Sequence, residues 1–403
     1  MNVTTARHHP ATAATTTTSA ASGFTTASAS PAAAAARRGG RLAAAAAAVA
    51  GAAALALGLS AVAGTPAASA SSAPVKAAAV QLDCAAAPSA CGYPDATNTG
   101  VPAGTKLLTV PGQVSSGPGW YYDSRGWVEV DGNGADLSGL YIPMNLDITA
   151  SNVTINDVQV VTSGASSFGI SLRHTANVTI ENSTISGVNA TTGRVANAID
   201  DIYGDSTGMV IKGNNISDWR TAVQVSAGLV AGNYIHSPGY IAGDHVNGIY
   251  DTGSAQPLTI SGNTIFNSMN QTDDITLEAS ASGQTVANKT ITGNLLAGGG
   301  YAIYGGSSSG RNNSTSHIVI KDNRFSRLYY PQGGKYGPVA YFDAQGRGNV
   351  WTDNVWSGSA RSGSVRSASI RDGAVVLLGG LRGELGIGQQ GLPLVFGGSL
   401  VRP

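Results

Sequence analysis

The sequence predicts an all-β chain wound as a parallel β-helix, and three observations carry that expectation. A six-residue pattern, apolar-x-x-Asn-x-apolar, recurs from residue 150 onward; its copies are spaced like the turns of a solenoid; and the body nowhere shows the 3.6-residue apolar period of a helix. The copies read Ile211-Lys-Gly-Asn214-Asn-Ile216, Val230-Ala-Gly-Asn233-Tyr-Ile235, Ile260-Ser-Gly-Asn263-Thr-Ile265, Ile291-Thr-Gly-Asn294-Leu-Leu296, Ile320-Lys-Asp-Asn323-Arg-Phe325 and Trp351-Thr-Asp-Asn354-Val-Trp356. Two earlier copies keep the apolar frame, with Val158 and Ser183 at the Asn position.

The eight starts are separated by 25, 31, 19, 30, 31, 29 and 31 residues, a range in which each unit buries its apolar face only by stacking on its neighbours. A propeller blade would need about 40 residues and four antiparallel strands, and a sandwich would not keep one Asn in register. The Asn suits a turn between two strands because it tolerates left-handed backbone. Its amide can also bond the equivalent amide one coil away.

Charge divides the 403 residues into unlike parts. Residues 1 to 70 carry Arg7, Arg37, Arg38 and Arg41 and no acid; residues 71 to 356 carry 14 basic and 21 acidic side chains; residues 357 to 403 carry 5 and 2. An acidic, Gly- and Asn-rich body argues against a polyanionic nucleic acid as partner.

The front of the chain reads as an export segment. Arg37-Arg38-Gly39-Gly40-Arg41 precedes an apolar run from Leu42 to about Val62, and Ala68-Ser69-Ala70 supplies small residues for cleavage. An uncleaved anchor is the competing reading, because the run is near the roughly 20 residues that span a bilayer. The expected product is a secreted monomer with no stable membrane span, preceded by a disordered leader. In an oxidising compartment Cys84 and Cys91, which enclose six residues, are expected to form a small disulfide loop that staples the N-terminal end of the body.

The repeat over about residues 120 to 356 resembles that of right-handed, single-stranded parallel β-helix proteins of the pectate-lyase-like superfamily. Three further segments, Cys91 to Thr105, Leu295 to Tyr304 and Phe325 to Val339, resemble elements of exported bacterial β-helix proteins without an assigned reaction. The superfamily resemblance implies a polysaccharide or cell-surface glycan as partner, cleaved by a lyase or hydrolase or held by a non-catalytic binder. Fold analogy cannot choose among these.

Between the Asn turns lies a second strand with a central apolar residue, at Ile170, Ile199, Val223, Ile249, Ile275, Ile303 and Ala340. With period two, the following residue faces outward, giving a column of Ser171, Asp200, Gln224, Tyr250, Thr276, Tyr304 and Tyr341. A further outward column carries Arg173 and Glu278, and Asp274 stands on the preceding side. Tyr250, Tyr304 and Tyr341 suit stacking on sugar rings, with Asp200 and Arg173 as polar contacts. They equally suit ordinary cross-strand packing.

Two carboxyls flanking a glycosidic bond are what hydrolysis requires. Asp251 and Glu278, from neighbouring coils, are the expected pair, although Asp251 has inward parity unless its strand ends before it. Asp274 and His245, in Gly243-Asp-His-Val-Asn-Gly248, complete the expected catalytic set. That segment resembles a His-x-Asp-Gly element of the exported subgroup, with Asn247 standing where the acid would be. A lyase would instead use Ca²⁺ on the acidic cluster Asp200, Asp201, Asp273 and Asp274. Past Trp356 the Asn pattern stops; Val375-Val-Leu-Leu378 suits a cover for the open end of the stack, and the change of composition equally suits a frameshifted or unrelated extension.

Overall fold

The computed structural model describes residues 83–163, 168–188, 195–278, 285–307, 314–358, 365, 369–371 and 374–376. The expected leader over 1 to 70 and most of the tail lie outside these residues. The chain is a parallel β-solenoid built from three sheets of ten, eleven and nine strands among the described residues. One coil shows the plan: Leu258–Ser261 in the third sheet, Thr264–Asn267 in the first and Thr272–Leu277 in the second.

Each repeat stacks in the register its sequence predicts. Ile155, Ile180, Ile211, Val230, Ile260, Ile291, Ile320 and Trp351 are successive partners in the third sheet. Val160, Ile185, Ile216, Ile235, Ile265, Leu296 and Phe325 do the same in the first. These files point inward, and those aliphatic side chains are almost wholly buried. Each such side chain contributes about 1.5–3 kcal/mol by leaving water.

The Asn residues form one continuous file. Asn233 Nδ2 donates to Asn263 Oδ1 at 2.9 Å and to the Ile211 carbonyl at 2.9 Å, while the Asn233 N–H donates to Asn263 Oδ1 at 2.9 Å. The same set repeats from Asn214 through Asn354. Ser183 continues the file, its N–H donating to Asn214 Oδ1 and its hydroxyl accepting from the Val158 N–H. Left-handed backbone falls on the residue before each ladder position rather than on the Asn itself: Asp157, Asn182, Gly213, Gly232, Gly262, Gly293, Asp322 and Asp353, with φ between 47° and 65°. The turn therefore divides its labour, with Gly, Asn or Asp supplying the conformation and the next residue supplying the amide.

Two further features frame the stack. Ser116–Gly117, Trp120–Asp123 and Trp127–Val130 form an antiparallel meander that begins the second sheet, with Trp120 buried. Residues 83 to 108 run along the outside of the first sheet from the last coil to the first. Cys84 N–H donates to Ser357 Oγ, Gly100 N–H to the Gly213 carbonyl and Val101 N–H to Thr184 Oγ1, and Leu108–Thr109 then pairs with Leu140–Ile142.

The Cys84–Cys91 disulfide is formed, with Cα atoms 5.6 Å apart. Its loop packs on Phe266, Leu295, Ala297 and Tyr234, so it staples the C-terminal half of the solenoid and not the N-terminal end. The reason is the antiparallel course of this outer strap. Ala374–Val376 pairs with Ser369–Arg371 in a separate two-stranded sheet, outside the three sheets of the stack. Among the described residues no helix is long and apolar enough to cross a membrane.

Asn263→Ala is expected to lower stability by about 3 kcal/mol, because it strands the Asn233 N–H and side-chain amide in a dry interior. Asn354→Ala, at the end of the file, is expected to cost less. Urea denaturation of the two variants checks both.

Candidate functional site

The outer face of the second sheet carries a groove of about 720 Å³. Its walls come from four adjacent strands, Trp219–Gln224, Val246–Asp251, Thr272–Leu277 and Tyr301–Gly305, and from the loops that follow them. The groove-lining residues include Arg220, Gln224, His245, Tyr250, Asp273 and Glu278, with Tyr304 and Tyr341 at one end.

These strands do not alternate strictly. Asn247 pairs with Asp273 and Ile249 with Ile275, while Gly248 and Asp274 between them are skipped. Asn247 and Asp273 line the groove; Gly248, Asp274, Ile249 and Ile275 are all buried. A Cβ on Gly248 would lie 2.4 Å from the Asp274 carbonyl oxygen and 2.5 Å from Ile265 Cγ2, so this position faces the tight corner with the first sheet. Outward, inward, inward, outward is the local order, and it moves the acid in the groove by one residue.

Asp274, expected on the outer face, is therefore fully buried in a file otherwise filled by Ala198, Ala222, Gly248 and Ala302, and neither of its carboxyl oxygens has a hydrogen-bond partner. Burial, and secondarily the neighbouring Asp273, hold its pKa well above the ordinary carboxylate range. Burial thus favours its uncharged form within the wall.

Asp251 likewise turns inward, in the same file as Leu172, Val225 and Leu277. Its strand does not end before it, so the expected opposition of Asp251 and Glu278 across the groove is not formed. They meet only through the backbone, where Glu278 N–H donates to the Asp251 carbonyl at 3.0 Å. Asp251 instead lies 3.4 Å from Lys289 Nζ, inside the solenoid.

Asp273 takes the place those residues vacate. It is 1% exposed, lines the groove, accepts a short hydrogen bond from the Thr276 hydroxyl on Oδ2 and has no hydrogen-bond partner on Oδ1. Burial raises its pKa well above the carboxylate range, against the Thr276 hydrogen bond, and the nearby Glu278 adds to the rise. Asp273 and Glu278 thus stand in one groove as two interacting carboxyls.

Of the other expected residues, Tyr250, Tyr304 and His245 line the groove, and His245 is exposed at its edge. Tyr341 also lines it, though not as a member of the outward column. Tyr304 pairs with Ala340, so the strand register is one residue earlier than expected, and Val339 is the inward residue. Tyr341 follows with φ 53° and stacks its ring on Tyr304 at 5.4 Å. Tyr301 and Tyr336 extend this aromatic cluster.

Asp200 and Arg173 are occupied elsewhere. Asp200 accepts from Asn197 Nδ2 and Gln224 Nε2, each at 2.9 Å, and Arg173 Nε donates to Asp147 at 2.7 Å. Arg220 is a further residue of the site. It lines the groove, donates from Nη2 to Asn197 Oδ1 at 3.2 Å, and has a buried Nε without a hydrogen-bond partner.

The Ca²⁺ expectation fails on its ligands. Asp201 points inward to the Ser206 N–H and Asp274 is enclosed in the corner. No three His, Cys, Asp or Glu among the described residues converge to hold a metal ion. No family model, curated protein or solved structure matches the chain with significance.

The buried acids fix a pH dependence. The folded chain holds the Asp273 and Asp274 protons more tightly than the unfolded chain, so their contribution to stability is complete below the ordinary pKa near 4 and is lost as pH rises through the raised values. Asp95 and Asp123, held at about 2, act in the opposite sense only below pH 4. Urea midpoints are expected to be higher at pH 5 than at pH 8, and Asp274→Asn, which keeps the shape and removes the ionisation, is expected to flatten that slope.

Proposed function

We propose that this chain is a secreted carbohydrate-active protein that holds an extended glycan along the second sheet and hydrolyses it. Asp273 donates the proton to the leaving oxygen, and Glu278 acts as nucleophile or as base for water. The observation that carries the reading is that Asp273, whose buried Oδ1 has no hydrogen-bond partner, lines the same groove as Glu278. A donor must keep its proton near neutral pH, and burial moves the Asp273 pKa in that direction.

The tyrosines support a glycan ligand. Tyr250, Tyr304 and Tyr341 offer ring faces and hydroxyls along the groove; Tyr250 and Tyr304 are two strands apart, about 10 Å, with Thr276 between them, and Tyr341 stacks on Tyr304. Arg220, which lines the groove and has no hydrogen-bond partner on Nε, suits an acidic substituent on the sugar. The Cys84–Cys91 bond supports export, and the Asn-ladder solenoid supports the proposed kinship with the right-handed pectate-lyase-like superfamily.

Release of new reducing ends from one of a panel of plant, algal and bacterial glycans is expected. Asp273→Asn and Glu278→Gln should each lower kcat at least about 100-fold, while Asp251→Asn should not act through the active groove. Activity is expected to fall on the alkaline side as Asp273 loses its proton. Retention on an insoluble glycan with no product from any substrate, unchanged in both variants, would mean a glycan binder instead.

A further inference from the structure

We propose that Asp251 and Lys289 condense inside the solenoid into an amide cross-link that spans the coil lying between theirs. Asp251 closes the strand Val246–Asp251 of the second sheet, and Lys289 lies in Thr285–Thr292 of the third sheet, where its partners in the adjoining coils are Leu258 and Ile318. Side-chain exposure is 1% for Lys289 and 0% for Asp251, and Nζ stands 3.4 Å from Oδ2. The two groups belong to inward aliphatic files, where a charged pair loses much of its hydration.

The surrounding bonds prepare both partners. Two backbone carbonyls, Ser226 at 2.8 Å and Gln256 at 2.9 Å, accept from Nζ and hold it against the carboxyl. Ser254 Oγ, whose own proton goes to the Ser226 carbonyl, accepts a third N–H at 3.1 Å, so the ammonium first passes one proton to Asp251, 3.4 Å away, and that transfer frees the lone pair for the carboxyl carbon. Asp251 Oδ1 accepts the Gly253 N–H at 3.0 Å, which polarises the carbonyl and stabilises negative charge on that oxygen during attack. Oδ2 has no hydrogen bond and is the oxygen that leaves.

Burial also raises the Asp251 pKa to about 6 and lowers that of Lys289, moving each toward its uncharged form. In the reaction Nζ attacks Cγ, a C–N bond forms and the Cγ–Oδ2 bond breaks. The proton released from Nζ joins the departing hydroxyl, so one water leaves and nothing is oxidised or reduced. The Ser226 hydroxyl, beside Asp251 and 2.6 Å from Thr252 Oγ1, is placed to carry that proton. Holding the two groups in contact replaces a dilute encounter by a unimolecular step.

The full chain, reduced and denatured, reports the link directly by mass. Trypsin cuts after Arg220 and would next cut after Lys289, since no Lys or Arg lies between; an acylated Lys289 carries the peptide on to Arg311. The expected result is a peptide of residues 221 to 311 lighter than its sequence by one water. In Asp251→Ala the cut after Lys289 and the full mass should return. Wild-type chain of full mass with Lys289 cleaved overturns the proposal. So does a water loss with Lys289 still cleaved, which would be a succinimide at an aspartate.

Discussion

The fold rests on an amide that satisfies four hydrogen bonds at once. Along the file from Asn214 to Asn354, an interior side chain such as Asn263 accepts a main-chain N–H and an amide N–H from one neighbour, and donates to the next Asn and to a carbonyl. A buried amide short of partners would cost free energy, so the arrangement is stable only when every coil repeats it. That requirement fixes coil register more stringently than the aliphatic files do, because Ile, Val and Leu exchange readily while a displaced amide finds no partner. At Val158, where the file ends, a Ser183 hydroxyl accepts the last N–H.

Much of this was legible because the ladder writes itself into the sequence at fixed offsets. The register Ile155 to Trp351 follows directly from the spacing. The second sheet was less legible, since a strict period of two assumes an unkinked strand. The small residues Ala198, Ala222, Gly248 and Ala302 signalled a tight corner, but Asp274 in that file masked the signal. One kinked position exchanged Asp273 for Asp274 in the groove, and a one-residue slip at Val339 displaced Tyr341 from its column. Asp251 followed its parity inward, where Lys289, 38 residues away in sequence, could not be foreseen as its neighbour.

The groove and the core use one physical device in opposite ways. Burial without compensating charge pushes the pKa values of Asp273 and Asp274 well above the ordinary carboxylate range, which suits the first to the proposed proton donation beside Glu278 and leaves the second a wall element. What separates them is access: Asp273 lines the groove, and Asp274 is enclosed by the neighbouring sheet. The proposed hydrolysis and the proposed internal amide both draw on carboxyls made reactive by the loss of hydration.

The outer strap has a consequence for how such a chain can vary. Its hydrogen bonds touch the last coil at Ser357, then the coils of Gly213 and Thr184, and its end pairs within the first sheet at Leu140. A solenoid is otherwise free to lengthen by duplication, since every turn offers the same template to the next. Here the strap acts as a ruler: a duplicated turn would pull Cys84 off Ser357 or leave Leu108 short of its partner. The number of turns is thereby counted by a segment that belongs to none of them.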